Sequence, residues 1–172
     1  MSSAITIKTK PTTRRTSISF NKLSSIEIPS VLSIEERNSD YPWSQDQFTT
    51  SIKNNKNLCY YLSRNGKTIG YLIALLAGDT ADILNIGIDP DFKRQGYGTA
   101  LLNHLIEELR KRNIREIFLE VRAGNKSAIQ FYKKQGFEEI SVRKNYYTKN
   151  SKNQSHREDG IIMSIKISST KN

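Results

Sequence analysis

Residues 91–99 read Asp-Phe-Lys-Arg-Gln-Gly-Tyr-Gly-Thr, with two glycines one residue apart behind two basic side chains and ahead of an apolar helical stripe. A helix start leaves backbone N–H groups unpaired and carries the positive end of the helix dipole. Glycines let such groups close around a phosphate or pyrophosphate. Lys93 and Arg94 add charge just ahead of Gln95-Gly96-Tyr97-Gly98-Thr99, where the helix begins. Leu101 stands where a dinucleotide fingerprint needs its third glycine, and no Gly-Lys-Ser/Thr follows as in a P-loop. An ordinary glycine turn capping a helix is the competing reading of this loop taken alone.

Two further residues have types suited to proton transfer. Glu120 sits in "REIFLEVR", where Ile117, Leu119 and Val121 alternate with Phe118, Glu120 and Arg122. A carboxylate amid large apolar strand residues is unusual. It is a general base, or else an exposed strand glutamate or the ion-pair partner of Arg122 or Arg143. Tyr132 falls on one helix face with Asn125 and Ile129, at i, i+4 and i+7. Taken alone it reads as a core aromatic with its hydroxyl satisfied locally. Cys59, between Leu58 and Tyr60, reads as a small buried hydrophobe rather than a reactive thiol. His104 and His156 receive no role.

The elements around these residues follow from periodicity and punctuation. "SSIEIPSVLSIEERNS" places Ile28, Val31, Leu32 and Ile34 at helical spacing, and Ser44 caps a second short helix over "SQDQFTTSIK". Asn65-Gly66 turns a hairpin between two strand-like runs, and "ADILNIGIDP" is a third strand stopped by Pro90. Leu101, Leu102, Leu105, Ile106 and Leu109 stripe one helix. "NKSAIQFYKKQGF" is another, capped by Asn125 and stopped by Gly136. "FEEISVR" and "GIIMSIKI" are the last strands, around a long basic polar loop at 148–157. This order gives an α+β fold on a mixed, mostly antiparallel twisted sheet flanked by about four helices.

The chain has 172 residues, 36% hydrophobic and 26% charged, which suits one soluble globular domain. We read 1–15 as a disordered basic tail, 16–168 as the domain and 169–172 as a C-terminal tail. The acid-free start also resembles a transit peptide, while a secretory signal is not visible. No apolar run approaches a membrane span. One cysteine excludes an internal disulfide, and two histidines make a metal site unexpected. A net charge of +10 favours polyanionic partners. A basic RNA-binding module is therefore an alternative, although no RNP, KH or zinc-knuckle pattern is present.

"NIGIDPDFKRQGYGTALLNHLIEEL" with "LEVRAGNKSAIQFYKKQGF" resembles the GNAT family of acetyl-CoA-dependent N-acetyltransferases, from about Ser17 to Ile167. "DYPWS" and the ending from "RKNYY" to "ED.IIM" resemble its RimI-type branch, which acetylates the N-terminal alanine of a ribosomal protein, protein eighteen of the small subunit. The resemblance implies a GNAT fold and binding of the acetyl-CoA pyrophosphate by residues 93–99, with no metal. It implies Glu120 as base, Tyr132 as donor to the CoA thiolate and Asn125 as a cofactor contact. Amides near Ile86, Gly87 and Ile88 would meet the oxyanion on a strand that splays, a distortion Gly87 would permit, unless that glycine serves only close packing. Tyr41, Trp43, Tyr146 and Tyr147 would wall the peptide site. Glu158 and Asp159 would meet an ammonium or pair with arginines.

Lys93 stands where the family often has Gln or Arg, Gly124 where it often has Ser, and Thr148 where proline is common. The first two changes are expected to matter little, whereas Thr148 and the long basic loop put substrate preference in doubt. The expected setting is a cytoplasmic monomer whose partner is the N-terminus of a ribosomal protein, without membrane or direct nucleic-acid binding. Other protein N-termini or small amines are the alternative substrates.

Overall fold

The computed structural model describes residues 17–151 and 154–167. The tails expected at 1–15 and 169–172, and the transit-peptide reading, lie outside the described residues. Seven strands form one sheet in the order β1-β2-β3-β4-β5-β7-β6. They are β1 (Ile18–Lys22), β2 (Asn57–Arg64), β3 (Lys67–Ala77), β4 (Thr80–Ile88), β5 (Glu116–Arg122), β6 (Glu138–Ser151) and β7 (Gln154–Lys166). Only β4 and β5 pair in parallel. Four α-helices complete the α+β fold: α1 (Ile28–Glu36), α2 (Gln45–Lys53), α3 (Tyr97–Arg110) and α4 (Lys126–Lys134).

Local chemistry accounts for the turns. Asn65 and Gly66 both take positive φ, 50° and 82°, as a tight hairpin between β2 and β3 requires. Ser44 and Gln47 form a capping box at the start of α2, with bonds of 3.3 and 2.8 Å. The sheet separates two cores. On one face α3 buries Leu101, Leu102, Leu105 and Leu109 completely, against Leu72, Ala74, Ile117 and Met163. Each such side chain contributes about 2 kcal/mol. On the other face Val31, Ile34 and Phe48 pack on Tyr71 and Ile73.

Two elements differ from the sequence reading. A strand, β1, precedes the helices and pairs along β2 from Ile18↔Arg64 to Lys22↔Tyr60. Its five residues are too few for a visible alternation. The segment read as a basic loop at 148–157 is largely paired strand, from Tyr147↔Glu158 to Ser151↔Gln154. Backbone pairing does not need apolar side chains once a hairpin is nucleated, so polar composition concealed it. A bulge between Arg143 and Tyr147 bends this hairpin. There the Asp159 carboxylate accepts the Asn145 N–H at 2.8 Å and the Lys144 ammonium at 3.2 Å, with Asn145 at φ 53°.

Candidate active site

The centre of the molecule is a parting of β4 from β5. The two strands pair only from Thr80↔Glu116 to Ile83↔Leu119. Ile83 faces Ala74 on β3 and Asn85 faces Ile73, so Leu84 is an extra residue without a partner. This bulge turns β4 away, and its segment Leu84–Ile88 keeps β3 but has no strand on the other side. The Asp89 N–H donates to Ile69 O on β3. Strand alternation then turns the Ile86 and Ile88 N–H groups toward the gap. The distortion arises at Leu84 and not at Gly87. A Cβ on Gly87 would lie 2.6–2.8 Å from the Tyr71 ring, so that glycine serves close packing.

Below the parting lies the glycine loop. After a 3-10 turn at Pro90–Phe92, Arg94 (φ 57°) and Gly96 (φ 86°) both adopt left-handed backbone, and α3 starts at Tyr97. Alternating left- and right-handed residues at a helix start turn successive N–H groups to one side, a nest for an anion. A cavity of about 180 Å³ opens here, lined by Ile86–Ile88, Phe92–Arg94, Gly98, Ala128, Phe131 and Tyr132. A Cβ on Gly98 would stand 3.4 Å from Phe131, so glycine keeps this floor low. Gln95, Tyr97 and Thr99 do not line it: Gln95 Nε2 donates to Asp91 O at 3.2 Å, and Tyr97 packs edge-on against Phe92.

A second cavity, of about 290 Å³, shares Ile86, Ala128 and Tyr132 with the first and passes through the gap to the other sheet face. It brings together Glu120, Tyr132, Asn125, Tyr41, Trp43 and Tyr147. Tyr132 is 6% exposed, and burial pushes its phenol well above the ordinary tyrosine value. Its hydroxyl has no hydrogen bond among the described residues, so it is left to serve the cavity. Asn125 caps α4, its Oδ1 accepting the Ala128 N–H at 3.1 Å. Glu120 Oε1 accepts the Tyr147 hydroxyl at 2.5 Å, and Oε2 pairs with Arg143 at 3.0 Å. Burial and then the Glu120 contact raise the Tyr147 phenol. Tyr146 stands outside the cavity, 51% exposed beside Tyr147.

Of the pairings expected from the sequence, that of Glu158 with an arginine is present, while other contacts at this site gave no signal. Arg122 lies between two rings, 4.2 Å from the Tyr41 centroid and 4.1 Å from that of Tyr147, and pairs with Glu158 at 3.5 Å. Glu158 also accepts the Gly124 N–H at 2.5 Å. A Cβ on Gly124 would meet only that carboxylate, the far end of a side chain that can shift. The end of α1 is fastened to β4. Glu35, 5% exposed, accepts from Tyr71 Oη, from Asn85 Nδ2 at 3.3 Å and from the Trp43 N–H at 3.0 Å. Asn38 Nδ2 donates to Ile88 O at 2.9 Å, and Arg37 bridges buried Asp89 at 2.9 Å and Asp91 at 3.1 Å. Only their long-range partners mark these side chains as part of the site.

Fold and site define an acetyltransferase: a sequence model described as the acetyltransferase (GNAT) family matches residues 28–137, and the chain belongs to that family. The [ribosomal protein bS18]-alanine N-acetyltransferase of Escherichia coli K12 is 42% identical over 152 residues, 87% of this chain and 99% of that protein. The crystal structure of the ribosomal-protein-S18-alanine N-acetyltransferase from Escherichia coli superposes with a TM-score of 0.80 at 39% identity, covering 88% of this chain and 95% of that one. Arabidopsis thaliana NAA60, solved in complex with acetyl-CoA, shares the fold at a TM-score of 0.74 and 17% identity, over 88% and 99% of the chains. Among the described residues no cluster of side chains could hold a metal ion, and no helix is long and apolar enough to cross a membrane.

Proposed function

We propose that this chain transfers the acetyl group of acetyl-CoA to the α-amine of an N-terminal alanine, with ribosomal protein bS18 as substrate. The observation that carries the reading is the pair of cavities that meet at Tyr132 through the β4–β5 gap. One has a phosphate-type nest at its mouth, and the other has a carboxylate and aromatic walls. The 42% identical relative supplies the substrate.

Acetyl-CoA supplies an activated thioester. The nest at Arg94–Gly98 would hold its pyrophosphate, with Lys93 adding charge, and Asn125, in the second cavity, would meet the acyl end of the cofactor. Glu120 takes a proton from the substrate ammonium. An α-amine has an ordinary pKa near 8, so a modest base suffices. The Ile86 and Ile88 N–H groups donate to the carbonyl oxygen as it gains charge under attack. Tyr132 gives its phenol proton to the departing thiolate as the C–S bond breaks, and the second proton of the attacking nitrogen, released as the amide forms, restores it. Tyr41, Trp43 and Tyr147 flank the amine. The setting would be the cytoplasm, and the protein would act as a monomer.

Mass spectrometry of acetyl transfer to synthetic peptides starting with Ala, Ser or Met, with a lysine-only control, tests this. Transfer to the Ala α-amine ahead of the others is expected. Transfer to lysine alone would refute it.

A further inference from the structure

A third cavity, of about 390 Å³, continues the substrate side past Glu120. It shares Ile83, Leu84, Leu119, Glu120 and Tyr147 with the cavity at the gap. Beyond these it is lined by Asp82, Phe118, Arg143 and Ile162. Cross-strand register puts Asp82 beside Phe118 and Glu120 beside Ile162, all on the face opposite buried Ile83, Leu119 and Val121. Helices α1 and α2 on this face pack against β2, β3 and β4. The stretch over β5 and β7 is left largely bare. Leu84, the bulged residue, is 40% exposed on its lip.

An apolar shelf across three strands, next to a functional carboxylate, is costly to leave in water. Here it is bordered by charge at both ends, Asp82 and Arg143. Its position fixes what can reach it. An extended chain advances about 3.5 Å per residue, so with an amine at Glu120 the next two or three residues are within reach of this floor. Alternation turns one of the first two side chains down onto the sheet.

Resting on the acetyltransferase reading above, we propose that Leu84, Phe118 and Ile162 form a specificity subsite. It receives an apolar side chain from one of the two residues that follow the acetylated alanine. The shelf opens continuously into the amine site and is too narrow, at three side chains, for a protein–protein interface of ordinary size. The backbone bulge thus does two things at once: it opens the gap for the thioester and presents Leu84 to the substrate.

The test is a set of Ala-starting peptides carrying Leu, Phe, Ser or Asn at positions two, three and four, assayed with wild type, Leu84→Ser and Phe118→Ser. The quantity read is the ratio of kcat/KM between apolar and polar peptides. Wild type is expected to favour an apolar residue at position two or three by about tenfold, the usual size for a partly open apolar pocket. Leu84→Ser, at an exposed position, should reduce that ratio to near one while thermal unfolding confirms the fold, and Phe118→Ser should act in the same direction. A wild-type ratio near one at both positions overturns the subsite. So does a preference that survives in both variants. Failure of every Ala-starting peptide to accept acetyl would instead refute the N-terminal alanine reading itself, and is thereby distinguishable.

Discussion

The two sides of the β4–β5 gap are built by different means. The cofactor side is made of backbone: two left-handed residues, a helix start, and glycines where side chains would intrude. The substrate side is made of side chains paired over long distances in sequence. Tyr147 reaches Glu120, Arg122 is held between Tyr41 and Tyr147, and the end of α1 is tied to β4 by Glu35, Arg37 and Asn38. A ligand common to a family is met by conformation, which many sequences can encode. A peptide is met by chemistry that varies residue by residue.

The largest effect should fall on the two groups that face each other across the gap. Glu120→Gln and Tyr132→Phe should each lower kcat by about a hundredfold or more, with acetyl-CoA affinity by calorimetry nearly constant. Full turnover in both would remove the proposed roles. Burial holds the Tyr132 proton above its ordinary value. A raised pKa keeps the donor form present to higher pH, so the kcat profile should show no loss from this group below about pH 10. A limb there that vanishes in Tyr132→Phe would contradict that.

Next come substitutions confined to one side. Gly98→Val should weaken acetyl-CoA binding by about tenfold, because its branched side chain rises from a floor already within 3.4 Å of Phe131. Tyr41→Ala should instead raise the peptide KM, by about fivefold, through loss of a ring over Arg122. If either variant moved the other side's constant by as much as its own, the division between backbone and side-chain construction would fail.

A smaller effect is expected at the fastening of α1. Arg37→Gln leaves Asp89, 3% exposed, with the Asp91 N–H at 3.1 Å and, as its remaining cation among the described residues, Lys67 at 3.6 Å. Arg37 is itself 44% exposed, so the loss of stability should be modest, about 1 kcal/mol by denaturant titration. The smallest concerns Cys59, whose thiol burial pushes up to about 11. Alkylation near neutral pH should be slower than that of a free thiol, with activity retained.

Much of this molecule was legible where the chain speaks locally. Asn65-Gly66, the Ser44 box, the Gly136 stop and the Leu101–Leu109 stripe each specify their own conformation, and Gly96 does the same for the glycine loop. The parting of β4 was foreseen from the family resemblance, and of the two readings of Gly87, distortion or close packing, the structure bears out close packing. Gly87 drew attention as a glycine, whereas the bulge sits at Leu84 because β3 and β4 fall out of register, which no single residue announces. Glu35, Arg37 and Asn38 read as an ordinary helix end, since apart from the Trp43 N–H their side-chain partners lie 36 to 54 residues away. Strand β6 extended through a polar segment because pairing with β7 outweighs composition.

The most direct test of the central claim is calorimetry with a conjugate that joins CoA, through an acetyl bridge, to the α-amine of an Ala-starting peptide. Such a molecule must occupy both sides of the gap at once. The account predicts binding on the order of a hundredfold tighter than CoA or the peptide alone. Affinity no greater than that of CoA alone would mean that the two cavities do not serve one reaction, and would contradict it.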